Sequence, residues 1–102
     1  MYFVDTHCHI QFPDYPLDPD EVLAEAAKAG VTKALIVGCR LEDSQAAVEF
    51  VEHHENVWAT IGLHPHEASV YVDDHHALQQ FRELTEKPKV AAIGETGLDF
   101  YY

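Results

Sequence analysis

The regular alternation of short apolar runs with stretches of helical periodicity constrains the fold of this chain most. Alternating strands and helices predict parallel strands joined by right-handed crossovers. The first predicted strand starts at Tyr2, and the other three are Val31–Gly38, Val57–Ile61 and Lys89–Gly94. The predicted helices are Pro19–Ala29, Leu41–His54 and one within Asp74–Thr85. The predicted fold class is therefore α/β, with the order β-α-β-α-β-α-β.

Local signals support these boundaries. Asp18 suits the N-cap of the first helix, Pro19 its first position and Glu21 the third position of a capping box, while Gly30 suits a stop. The later part of the second strand is continuously apolar, which is typical of a parallel strand buried on both faces. We predict that residues 1–102 form one unit with no internal domain boundary.

Two architectures fit this order. One is a small doubly wound sheet that is complete in itself. The other is part of a (β/α)8 barrel, which usually needs about 250 residues. The pattern alone does not separate them, but in both the ligand site lies at the C-terminal ends of the strands.

Four polar residues follow the C-terminal ends of predicted strands. His7 and His9 follow strand one, His64 follows strand three, and Glu95 follows strand four. Because side chains alternate along a strand, the two histidines share one face, roughly 6–7 Å apart, and Cys8 points to the other side, towards the core.

Taken singly, each of these residues has an ordinary interpretation. His7 and His9 could be surface histidines, His64 a solvated turn residue and Glu95 an exposed loop acid. Together, two imidazoles and a carboxylate at one rim form a ligand set for Zn²⁺, Mn²⁺ or a similar ion. A carboxylate can also bridge two ions about 3.5–4 Å apart, which could clamp a phosphoryl or acyl group and generate hydroxide.

The other candidate residues have weaker patterns. Asp5 could fix the tautomer of a ligand histidine, or it could cap the strand end. The remaining histidines are interpreted as surface residues: His53, His54, His66, His75 and His76.

Charge restricts the partners. The net charge of −12, from 18 acidic and 6 basic residues, argues against non-specific binding to nucleic acid or to an anionic membrane and would favour a cation. We expect no transmembrane helix and no signal peptide. Cys8 and Cys39 form no CxxC pattern, so we expect free thiols in a reducing cytoplasm.

Three stretches of the sequence resemble signatures of the TatD-type metal-dependent hydrolases, which belong to the amidohydrolase group. They are Phe3-Val4-Asp5-Thr6-His7-Cys8-His9, Gly62-Leu63-His64-Pro65-His66 and Ala92-Ile93-Gly94-Glu95-Thr96-Gly97-Leu98-Asp99-Phe100-Tyr101. The resemblance implies a (β/α)8 barrel and a hydrolase with two divalent metal cations that cleaves DNA phosphodiesters. It also implies that His7 and His9 bind one metal, that Glu95 bridges both and acts through them, and that His64 faces the scissile phosphate.

Length is the departure from the family pattern. The resemblance also calls for histidine ligands after strands five and six and for a water-activating aspartate after strand eight, and this chain has none of them. We therefore expect the N-terminal half of a barrel, with weak metal binding, little turnover alone, and self-association through open sheet edges. The alternatives are an amidohydrolase-group enzyme acting on a small ester, lactone or amide, and a non-catalytic, oligomerising half-barrel.

Overall fold

The structure is a computed structural model that describes residues 1–101. Its elements in chain order are β1 (Phe3–Cys8), α1 (Pro19–Lys28), β2 (Val31–Val37), α2 (Leu41–Glu52), β3 (Val57–Ile61), α3 (Ala68–Tyr71), α4 (His75–Leu84) and β4 (Val90–Ile93). The predicted order is confirmed except for α3, a four-residue helix that the sequence pattern did not predict. A single turn is too short to show a 3.6-residue period.

The strand order distinguishes the two architectures. The four strands form one parallel sheet in the order β1-β2-β3-β4. A doubly wound sheet reverses its strand order at the point where ligands bind, whereas a barrel adds strands in sequence. The described part of the chain shows no reversal, so its sheet has the winding of a barrel.

The core lies between the sheet and helices α1, α2 and α4. Its buried members are Ile10, Ala34, Ile36, Ala47, Val48, Val51, Val57, Ala59 and Ile61. In β2 the adjacent residues Ile36 and Val37 are both almost fully buried, at 0% and 2% exposure. This confirms that the end of β2 is covered on both faces.

Helix ends follow the predicted chemistry. The Asp18 side chain accepts a hydrogen bond from the backbone N–H of Asp20, and Pro19 is the first residue of α1. Gly30 has a φ of +95°, which favours glycine and ends the segment. The predicted boundaries therefore hold to within one or two residues.

The N-cap of α4 determines which of its apolar residues face the core. Leu78 is 41% exposed, whereas its neighbour Ala77 is only 3% exposed. The side chain of Asp74 caps α4 by accepting from the Ala77 N–H. This register turns Ala77 inward, and Leu78 then lies about 100° further round the helix.

The sheet has two open edges, as predicted, at β1 and β4. Large apolar side chains are exposed on these strands, including Phe3 (53%), Val4 (56%) and Ile93 (69%). Within residues 1–101, no helix combines the length and the apolar character needed to cross a membrane.

Candidate metal centre

The three predicted ligands lie together: the side chains of His7 and His9 both approach one carboxylate oxygen of Glu95. His7 Nε2 lies 3.1 Å from Glu95 Oε2, and His9 Nε2 lies 3.9 Å from the same oxygen. The two imidazole rings are T-shaped, with centroids 5.0 Å apart. The C-terminal ends of the two edge strands of the described sheet, β1 and β4, thus supply one compact donor group.

His9 is held as a metal ligand would be. Its Nδ1 lies 2.8 Å from the carbonyl oxygen of Val37. Because a carbonyl only accepts, Nδ1 carries the proton, and in the neutral ring the lone pair is on Nε2, the atom that faces Glu95. Phe12 stacks on the ring at 4.6 Å, and Gln11 donates to the same carbonyl at 2.7 Å. The ring orientation is therefore set before any ion binds.

Asp5 has one of the two roles considered for it. Its Oδ1 accepts a hydrogen bond from the backbone N–H of His7 at 3.0 Å. The contact is to the backbone, so Asp5 shapes the strand end and does not fix an imidazole tautomer.

Backbone contacts position Glu95. The Gly94 N–H donates to Ile61 O at 2.8 Å, and the Glu95 N–H lies 3.3 Å from Gly38 O. Gly62 allows this approach, since a Cβ there would lie 2.7 Å from the Gly94 carbonyl carbon. The carboxylate is thus placed by the ends of β2 and β3 as well as by β4.

Cys39 belongs to the site, although the cysteine pattern of the sequence predicted only a free thiol. Its Sγ lies 3.8 Å from Glu95 Oε2. Burial, followed by the nearby charge of Glu95, raises the pKa of Cys39 to about 11. The neutral thiol therefore donates to the carboxylate. Its position just after Gly38, past the end of β2, is the signal that could have identified it.

Cys8 points away from the site, as predicted. It packs against the core, and its Sγ donates to the Leu35 carbonyl at 3.4 Å. Burial, followed by the charge of Asp5, raises the pKa of Cys8. Cys8 therefore has a packing role.

His64 enters the site as a hydrogen-bond donor. Its backbone N–H donates to Cys39 O at 2.7 Å, and its Nδ1 accepts the backbone N–H of His66 at 3.1 Å. The proton is therefore on Nε2, which lies 3.4 Å from Glu95 Oε1. Glu95 thus directs one oxygen towards His7 and His9 and the other towards His64.

Two of the histidines assigned to the surface make specific contacts. His66 Nε2 lies 2.9 Å from Asp99 Oδ2. His54 contacts two acceptors, Asp20 Oδ1 at 2.6 Å and Phe50 O at 2.7 Å. The His54 ring thus links α1, through Asp20, to the end of α2, through the Phe50 carbonyl. These contacts could not be predicted from the sequence, because Asp99 and Asp20 are far from their histidines along the chain and Phe50 contributes only a backbone carbonyl.

The donor set fits a divalent cation. The donor atoms of His7, His9 and Glu95 all lie within 4.8 Å of one another. Two imidazole nitrogens and a carboxylate oxygen are ligands that Zn²⁺ and Mn²⁺ accept. Small shifts of exposed or half-buried side chains would bring all three to bonding distance.

Comparison with known proteins gives a consistent family. Residues 4–102 match the family described as TatD related DNase. The 3'-5' ssDNA/RNA exonuclease TatD of Cronobacter sakazakii is 41% identical over 96 residues, which are 94% of this chain and 36% of that protein. The uncharacterized metal-dependent hydrolase YjjV of Escherichia coli is 35% identical over 101 residues, 97% of this chain and 38% of that protein.

Solved structures agree with the fold. The crystal structure of Escherichia coli YjjV superposes with a TM-score of 0.82 at 32% identity, covering 98% of this chain and 39% of that one. A TatD family hydrolase from Entamoeba histolytica gives a TM-score of 0.83 at 28% identity, covering 97% and 38%. The chain thus spans little more than a third of the length of these relatives, and its sheet is the matching part of their barrel. Because the family match extends over residues 4–102, the chain belongs to the TatD related DNase family.

Proposed function

We propose that this chain is the N-terminal half of a metal-dependent hydrolase barrel, and that His7, His9 and Glu95 hold its divalent cations. The observation that carries the proposal is the convergence of His7 Nε2 and His9 Nε2 on Glu95 Oε2. This convergence lies at the strand ends where barrel enzymes place their chemistry. A relative named as a metal-dependent hydrolase supports the same reading.

Each residue has a distinct role in this proposal. His7 and His9 would hold one ion through Nε2, and Glu95, which directs one oxygen towards these histidines and the other towards His64, would help to hold a second. Bound divalent cations would polarise the scissile group and lower the pKa of a bound water. The His64 Nε2–H, which faces Glu95 Oε1, is a donor suited to a phosphate oxygen.

We propose a nucleic-acid phosphodiester, DNA above all, as the substrate of the full-length protein. The relative from Cronobacter sakazakii is named an exonuclease of single-stranded DNA and RNA. The net charge of −12 favours the second candidate instead, a small ester, lactone or amide. Under the first proposal, bound ions would offset the charge of the scissile phosphate, His64 would donate a hydrogen bond to it, and basic residues outside this chain would hold the strand.

A chimera tests the proposed function directly. Residues 1–101 would replace the matching part of the Cronobacter sakazakii exonuclease. With Mn²⁺ or Mg²⁺, we expect cleavage of 3'-labelled single-stranded DNA that EDTA abolishes and added metal restores, because the proposed site would need its ions to activate water.

Small aryl esters are the comparison substrate for the chimera. Cleavage of esters without cleavage of DNA would favour the second candidate. A chimera that circular dichroism shows to be folded, but that cleaves neither substrate with any divalent metal, would contradict the hydrolase proposal. For the 102-residue chain alone, we propose weak metal binding and little or no turnover, because groups that act as a unit fail together.

We also propose self-association of the chain through its open edges. Edge strands present unpaired N–H and C=O groups to other chains. An apolar groove of about 430 Å³ beside β4, lined by Leu78, Phe81 and Ile93 among others, adds exposed surface. Size-exclusion chromatography with light scattering should show dimers or larger species. A monomer with a cooperative thermal transition would contradict this proposal.

The cysteines support a reducing compartment. Cys8 and Cys39 are both free thiols in the structure. We therefore propose that the protein works in the cytoplasm, where thiols stay reduced.

A further inference from the structure

A contact outside the proposed ligand set joins two of the loops that form the site. His66, in the turn after β3, and Asp99, in the loop after β4, approach to 2.9 Å between Nε2 and Oδ2. The other carboxylate oxygen of Asp99 accepts the backbone N–H of Tyr101 at 3.0 Å. Both oxygens of Asp99 are therefore engaged, and its side chain is only 27% exposed.

His66 transmits this contact to His64 in two ways. The two imidazole rings pack edge to face, with centroids 4.4 Å apart. In addition, the His66 backbone N–H donates to His64 Nδ1 at 3.1 Å. The orientation of the His66 ring therefore limits where the His64 ring can lie.

We propose that Asp99 is a positioning residue for His64. Asp99 holds the His66 ring, and the ring holds the turn after β3 against the loop that carries Glu95. As a result, the Nε2–H of His64 stays 3.4 Å from Glu95 Oε1. The consequence for catalysis rests on the phosphate contact proposed for His64. The positioning itself can be tested without measuring turnover, through the tautomer of the His64 ring.

The same three side chains could also be considered as a metal site. Donor atoms of His64, His66 and Asp99 lie within 4.8 Å of one another. However, His64 Nδ1 accepts a backbone N–H and Nε2 faces Glu95, so a cation would have to break one of these contacts. The hydrogen bonds favour positioning over metal binding.

Two contacts favour the Nε2–H tautomer of His64: the backbone N–H of His66 donates to Nδ1, and Glu95 Oε1 lies 3.4 Å from Nε2. If Asp99 is removed, the turn can move away from the Glu95 loop, and the contact at Nε2 is lost. Loss of this contact with the Glu95 carboxylate should change the ratio of the two tautomers by about tenfold. A purely structural tie elsewhere on the surface would leave this ratio unchanged.

The test is nitrogen-15 NMR of the histidine rings in the metal-free 102-residue chain, in alkaline buffer. His64→Gln assigns the His64 signals, and the Trp58 indole signal reports the fold. Asp99→Ala and His66→Ala should each lower the Nε2–H to Nδ1–H ratio of His64 by about tenfold. The control Asp73→Ala removes an exposed acid and should change nothing.

Other outcomes overturn the proposal. An unchanged His64 tautomer in either folded variant would show that Asp99 does not position the ring. If both variants unfolded, the contact between His66 and Asp99 would serve only to stabilise the fold, and the proposal would be wrong. If the wild-type chain bound an extra Zn²⁺ that Asp99→Ala lost, the cluster would be a metal site. Failure of the chimera to cleave any substrate would leave this NMR result unaffected and would contradict only the proposed function.

Discussion

Replacing His7 and His9 together with alanine should lower the affinity of the chain for Zn²⁺ or Mn²⁺ more than about 100-fold. Loss of a residue that merely supports a ligand costs about 10- to 100-fold in metal affinity. Here two of the three converging donors are removed, leaving Glu95 and the neutral thiol of Cys39. Competition with a chromophoric chelator measures the affinity.

The chain offers a matched control for this double variant. His75 and His76 are also close in sequence, but they lie exposed at the start of α4. The variant His75→Ala/His76→Ala should therefore bind metal as the wild type does. Equal losses in the two double variants would show that the chain binds metal through scattered surface histidines.

Gly62→Ala should disturb the site without touching a ligand. A Cβ at position 62 would lie 2.7 Å from the carbonyl carbon of Gly94 and 2.8 Å from its oxygen, with the Glu95 nitrogen at 3.1 Å. These are backbone atoms, so β4 must move, and Glu95 moves with it. We expect about 1–3 kcal/mol of destabilisation, the usual cost of overpacking. We also expect metal affinity to fall about tenfold or more, as when ligand support is lost.

Gly94→Ala is the control for this effect. A Cβ at position 94 would have no neighbour within 4 Å. Urea unfolding and the chelator titration would be compared for both variants. If Gly62→Ala kept wild-type stability and affinity, the close approach of the two loops would not be what places Glu95.

Most of the fold could be predicted from the sequence, because in most elements the capping residues and the spacing of apolar residues indicate the same helix or strand. The Asp18 and Pro19 signals place α1, and the apolar run of β2 marks a strand covered on both faces. The order of strands in the sheet was open on pattern alone, since β-α-β order is common to both architectures. The exposure of Leu78 could not be predicted from the helical period alone, because it depends on the cap at Asp74.

The site was predictable where its residues follow strand ends. That rule applies to four residues: His7, His9, His64 and Glu95. In the structure the three histidine side chains come together around the carboxylate of Glu95. The pairing of His66 with Asp99 could not be predicted, because it depends on how two loops fold towards each other. No local pattern encodes such a contact between residues that are far apart in sequence.

Anomalous diffraction from crystals of the chain soaked in Mn²⁺ or Zn²⁺ tests the central claim most directly. We predict an anomalous peak bonded to His7 Nε2, His9 Nε2 and a Glu95 oxygen, at about 2.0–2.2 Å when the ion is Zn²⁺. A saturating soak that gave peaks only at other histidines, or no peak at these three residues, would contradict the assignment of a metal centre to this rim.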